Sequence, residues 1–132
     1  ELATAADAIA TEVAKAVSPG LIKETACLGE SKPAAGCADG IVASFGEKAF
    51  RRPLDADEKT RFSKLFDDEA AKRGGPSATS LVIEAMLQSP RFLYRTELGG
   101  GAGDRVTLTG YELASQLSYL LADEPPDAEL LA

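Results

Sequence analysis

The chain has 132 residues, 45% of them apolar, a net charge of −7, and neither tryptophan nor histidine. The charge argues against a phosphate-neutralising nucleic-acid binder, which needs a cationic face, while an alanine-rich, aromatic-poor composition favours packed helices over a sheet. We therefore predict one all-α domain of about five helices joined by short loops, with one glycine-rich connector.

The absence of histidine removes several kinds of chemistry. Ser-His and Cys-His nucleophilic pairs, histidine-ligated zinc and histidine-ligated haem all require it. No apolar run reaches the roughly 20 residues that span a bilayer, so no transmembrane segment is expected. We assign no catalytic residue, metal site or cofactor to this segment.

The first 37 residues are interpreted as a helical lead-in. Apolar residues at helical spacing predict a first helix that ends at the sequence Ser18-Pro19-Gly20, because proline and glycine do not easily extend a helix. The apolar positions are Ile9, Val13, Ala16 and Val17.

Cys27 and Cys37 enclose the polar, glycine- and proline-containing sequence LGESKPAAG. Such a loop is poorly ordered without a covalent link, so we predict a disulfide, which places the protein outside a reducing cytosol. The alternative is a pair of free thiols in a cytosolic protein.

A second part, residues 38–98, is interpreted as a helical module. Its second helix should span residues 38–50 and end at Pro53. Asp55 and Glu58 form a capping-box pattern that opens a third helix, whose buried side chains should be Phe62, Leu65 and Phe66.

A fourth helix should follow, with Ser77 as its cap. It is apolar nearly all round between Leu81 and Leu87, which predicts a central position in the fold. The sequence Ser89-Pro90 then interrupts it.

Residues 99–132 are interpreted as a glycine-rich connector and the start of a further helical module. Thr109 and Glu112 form a second capping-box pattern. Asp127 should cap one more helix start, after which we expect the natural polypeptide to continue. The predicted apolar side of the helix after Thr109 consists of Leu113, Leu117, Leu120 and Leu121.

Arginines next to aromatic residues are the clearest candidate for a site. Guanidinium groups bind carboxylates and phosphates through a rigid fork and stack on aromatic rings. Two such stretches could meet in an anion-binding pocket, or they could bridge helix ends by bonding to terminal carbonyls and neighbouring carboxylates. The candidate residues are Arg51, Arg52, Arg91, Tyr94 and Arg95.

Three stretches in order carry a family resemblance: FGEKAFRRPLDADE, AMLQSPRFLYRTE and LTGYELASQLSYLLADEPPDAELLA. They resemble paired domains of unknown function in large secreted proteins of planctomycetes and myxobacteria, some of which also carry a cytochrome c-like domain. The resemblance implies an extracytoplasmic, multidomain protein and a link to electron transfer. It supplies no catalytic residue.

We therefore expect a non-catalytic structural or docking module that contacts other domains of the same polypeptide or a partner protein. One alternative is an arginine-lined module that binds an anionic polymer or a small carboxylate. Another is one part of an enzyme site that is completed outside this chain.

Overall fold

The computed structural model describes residues 2–100 and 106–131. Within them the regular structure is helical, and the β-structure is limited to one isolated β-bridge between Gly100 and Thr107. The prediction of an all-α domain is confirmed. The helices are α1 (Leu2–Glu24), a 3₁₀ helix (Ala26–Gly29), α2 (Asp39–Phe50), α3 (Ala56–Arg73), α4 (Gly75–Leu87), α5 (Pro90–Leu93) and α6 (Gly110–Ala122).

Helix α4 is the centre of the fold, as its apolar sequence predicts. It packs against α1 on one side and α3 on the other, and it also contacts α2, α5 and the 3₁₀ helix. Met86 and Ile83 of α4 and Phe66 of α3 are fully buried. Burying one such side chain contributes about 1.5–3 kcal/mol, so these three residues anchor the domain.

The first helix does not end at Pro19, and that prediction is wrong. Helix α1 continues through Pro19 to Glu24. Pro19 and Lys15, whose carbonyl loses its helical donor, are both exposed, so water can satisfy that carbonyl. Beyond the proline, Leu21 and Ile22 pack against the core, which favours continuing the helix.

The buried side of α1 is also displaced from the predicted one. Ile9 is 65% exposed, whereas Ala10 and Ala14 are buried against Ile83 and Leu87 of α4. Small side chains allow the two helix backbones to approach closely, and that close packing decides which side of α1 is buried.

The predicted disulfide between Cys27 and Cys37 is present. The loop that it closes contains Leu28, which is fully buried in the core. The backbone N–H of Gly75 donates to the carbonyl of Glu30 over 2.8 Å. The disulfide loop is therefore packed against the start of α4.

Helix α3 begins as predicted, with Asp55 and Glu58 forming a complete capping box. The predicted cap at Ser77 is wrong, because α4 already begins at Gly75, after Gly74 with φ of 86°. Ser77 lies in the first turn of α4, and its hydroxyl donates to Glu69 over 2.7 Å.

Helix α6 also begins as predicted, with Thr109 and Glu112 in a capping box. Within the described residues, no other helix packs extensively against α6. The predicted connector lies partly in residues 101–105, which are outside the described residues. At the far end, the N–H of Leu130 donates to the Asp127 carboxylate over 2.9 Å. Residues 128–131 form a turn rather than the predicted start of a helix.

Gly75→Ala tests the contact between the disulfide loop and α4. A Cβ at this position would overlap the carbonyl oxygen of Leu28. We expect unfolding free energy to fall by about 1–3 kcal/mol, the usual cost of forcing an extra group into packed structure. The matched variant Gly40→Ala meets no atom within 4 Å and should keep or raise stability. Equal urea denaturation midpoints for the two variants would contradict this close contact.

Candidate functional site

Arg51 ends α2 and lies at the centre of the candidate site. It adopts a left-handed conformation, with φ of 57°, and only 8% of the residue is exposed. Its guanidinium donates to the carbonyls of Arg91 and Tyr94 over 2.9 and 3.1 Å. It also donates over 3.4 Å to Phe92 and over 3.3 Å to Ala49.

These bonds have a simple origin in helix geometry. Helix α5 is a single turn, so its carbonyls have few helical donors. A planar guanidinium with five N–H groups can reach several of them at once. Arg51 therefore fixes the segment after α4 to the end of α2, a role that uses its guanidinium inside the protein.

Arg52 forms a two-bond ion pair with Glu58. The guanidinium nitrogens lie 2.7 and 2.9 Å from the two carboxylate oxygens. Burial raises the pKa of Glu58, but the bonds from Arg52 and from the Asp55 N–H outweigh it, and the pKa lies below its ordinary value. The hydrogen bond to Glu58 correspondingly raises the pKa of Arg52.

The other three candidate residues are more exposed. The Nε atom of Arg91 lies 3.9 Å from Glu58, a long contact. The guanidinium of Arg95 stacks over the ring of Tyr119 in α6, 4.8 Å from its centroid. Tyr94 is 57% exposed, and only its backbone carbonyl bonds to one of the arginines, Arg51.

We refer to Arg51, Arg52, Arg91 and Arg95 as the arginine cluster. A cleft of about 760 Å³ opens between this cluster and α6. All four candidate arginines contribute to its lining, as do Leu117 and Leu120 of α6. The structure thus brings the two arginine stretches to one cleft. Tyr94 is not among the lining residues.

Glu112 holds α6 to the segment that follows the cluster. Its carboxylate accepts the N–H groups of Leu98 over 2.8 Å and Gly99 over 3.0 Å, besides the backbone and hydroxyl of Thr109. Hydrogen bonds from the Thr109 and Gly99 backbones lower the pKa of Glu112 to about 2. The sequence identified Glu112 only as a helix cap.

The sequence therefore did not single out several functional candidates, which are Glu112, Leu117, Tyr119 and Leu120 of α6. The capping-box pattern was visible, but the link from Glu112 to residues 98 and 99 joins positions 13 and 14 apart. Among residues 2–100 and 106–131, no cluster of three metal-ligating side chains is found.

One family matches part of the chain. Residues 37–97 match the family described as PSD5, a protein of unknown function (DUF1595). This match includes both arginine stretches, which therefore lie in a domain of unknown function. No curated protein and no solved structure matches the chain.

Arg51→Met tests the role of the buried guanidinium. The variant leaves the carbonyls of Arg91 and Tyr94 without their donor, so we expect unfolding free energy to fall by about 1.5–3 kcal/mol. Lys48→Met removes the same charge from an exposed position of the same helix and should change it by less than about 0.5 kcal/mol. Equal losses in chemical denaturation would show that Arg51 acts only through its charge.

A pH titration tests the bonds to Glu112. Because the folded pKa of about 2 lies below the ordinary value of 4.5, their stabilising effect is complete above about pH 4.5 and is lost as pH falls towards 2. The ¹³C shift of the carboxyl carbon should titrate near pH 2, and the amide signals of Leu98 and Gly99 should move with it. In Glu112→Gln these pH-dependent shifts should disappear. A carboxyl midpoint near 4.5 would contradict the bonding.

Proposed function

We propose that the chain is a non-catalytic helical docking module of a larger protein outside the cytosol. In this proposal, helix α6 is the docking element. The helical body formed by α1 to α5 is the support that holds it, and the arginine cluster and Glu112 set its position.

The exposed leucine face of α6 carries this proposal. Leu120 and Leu121 are 79% and 81% exposed, and Leu113 and Leu117 are 49% and 42% exposed. Contiguous apolar surface of this kind is typical of interaction sites. A helix with a regular apolar side gains little stability until that side is covered, so the face favours contact with another folded surface.

The arginine cluster supports the same proposal from the other side of the cleft. The guanidinium group of Arg51 donates to backbone carbonyls, and that of Arg52 donates to the carboxylate of Glu58. Such internal bonds suit a brace that gives α6 a defined position. Positioning reduces the entropy that α6 would lose on docking.

The disulfide between Cys27 and Cys37 supports a location outside the cytosol. None of the helices in the described part of the chain has the length and apolar character needed to cross a bilayer. The sequence resemblance to secreted, cytochrome-associated proteins is the basis for proposing a link to electron transfer. Two free thiols in natively produced protein, measured by non-reducing mass spectrometry, would contradict the location.

A second candidate function is binding of an anionic polymer or small carboxylate in the cleft. The observation that favours it is Arg95, which takes part in none of the salt bridges of the described residues. Arg51 and Arg52 weaken this candidate, since their guanidinium groups are already bonded. We therefore rank it below docking through α6.

Hydrogen exchange compares the 132-residue chain with the larger protein in which the proposal places it. We expect the amides of α6 to exchange at least about tenfold more slowly in the longer protein, because docking of the leucine face adds at least about 1.4 kcal/mol to the cost of local opening. Leu120→Ser with Leu121→Ser should remove that difference while leaving α3 and α4 protected.

The control for this experiment is Ile9→Ser, which changes an apolar residue of α1 that is 65% exposed. It should leave the exchange of α6 unchanged. Identical α6 exchange in the short and long proteins would overturn the docking proposal.

A further inference from the structure

We infer that the partner of α6 is an amphipathic helix that carries a carboxylate beside its apolar stripe, with that carboxylate bound to Arg95. This inference rests on the proposed docking function and names the chemistry of the partner. It follows from the spacing of the leucines, their continuity with the cleft and the charges on the cleft wall.

The spacing of the leucines suits a helix. Leu113, Leu117, Leu120 and Leu121 follow the i, i+4, i+7, i+8 pattern of one helix side. The 13 residues of α6 extend over about 20 Å at 1.5 Å per residue. A ridge of this length and spacing fits the groove between side chains of a second helix.

The leucine face is continuous with the arginine-lined cleft. Leu117 and Leu120 belong to the face and also line the cleft. Tyr119 lies between them in sequence, and its ring holds the guanidinium of Arg95. A helix seated on the leucines would therefore have one flank beside Arg95.

Arg95 favours an acidic group on that flank, because it takes part in none of the salt bridges of the described residues. The lining also contains the carboxylates of Glu97, Glu112 and Asp123. The carboxylate of Glu112 is occupied by the backbone of residues 98, 99 and 109.

Arg95 is the best placed residue of the arginine cluster to bind a carboxylate of a partner protein. Arg51 and Arg52 are bonded internally, and Arg91 lies within 3.9 Å of Glu58. Arg95 is exposed, and its contact with Tyr119 is with the ring face, so the edge of its guanidinium remains able to donate two parallel hydrogen bonds.

A designed peptide tests the inference with the full 132-residue chain. The probe is a 14-residue helical peptide with leucine at every third or fourth position, glutamate on both flanks of that stripe and one tryptophan. Because the chain has no tryptophan, indole emission reports the peptide alone. A matched peptide carries glutamine in place of the glutamates.

We expect the glutamate peptide to bind about tenfold more tightly than the glutamine peptide, as one hydrogen-bonded ion pair allows. Arg95→Met should reduce its affinity to that of the glutamine peptide. Leu120→Ser with Leu121→Ser should weaken both peptides. Lys48→Met and Ile9→Ser, at exposed positions outside the face, should bind both peptides as the unchanged chain does.

Three outcomes would overturn the inference. The first is that the glutamate peptide binds no more tightly than the glutamine peptide. The second is binding of citrate alone that Arg95→Met abolishes, which would assign the cleft to small anions. The third is binding to phosphatidylglycerol vesicles through the leucines, which would assign the face to a lipid surface. The hydrogen-exchange comparison decides the docking function separately, because it does not depend on Arg95.

Discussion

The buried guanidinium of Arg51 is the interaction on which the position of the candidate site depends. The chain from Pro90 to Gly100 contains one helical turn and then backbone without regular structure, so it has little internal hydrogen bonding of its own. Arg51 supplies donors to three carbonyls of this segment, those of Arg91, Phe92 and Tyr94. A segment that leaves a helical body in this way keeps one direction only if its polar groups find partners. The direction of Tyr94 to Gly100 sets where α6 begins.

The core and the site depend on different kinds of interaction. Around α4, buried apolar side chains such as Phe66 and Met86 exclude water, and stability there grows with the area buried. Between the core and α6 the links are polar and few: the carbonyl bonds of Arg51, the stack of Arg95 on Tyr119 and the carboxylate of Glu112. Polar links fix direction with little buried area. The domain thus combines a closely packed body with an α6 that is oriented but largely uncovered.

Local sequence signals predicted the parts of this structure that depend on neighbouring residues. Both capping boxes and the disulfide loop follow from residues close together in the chain. The errors arose where distant packing decided the outcome. Pro19 predicts the end of a helix, but α1 continues past it because Leu21 and Ile22 pack against the core. The leucines of α6 form the predicted apolar side of the helix, but whether a neighbour covers them also depends on distant packing, and no helix of the described residues covers them extensively. The sequence left open whether the arginine stretches form an anion-binding pocket or bridge helix ends. Which carbonyls Arg51 bonds to depends on the fold.

The carboxylate of Glu58 has a consequence for how this region tolerates change. It completes the capping box with Asp55, pairs with Arg52 and lies near Arg91, so one side chain joins the starts of α3 and α5 to the end of α2. Groups that share a partner do not contribute independently to stability. Loss of Arg52 would leave Glu58 more available to Arg91, and loss of Glu58 would leave both arginines unpaired at once. Substitutions in the stretch AFRRPLDADE are therefore expected to be strongly epistatic, so that their combined effect differs from the sum of the single ones.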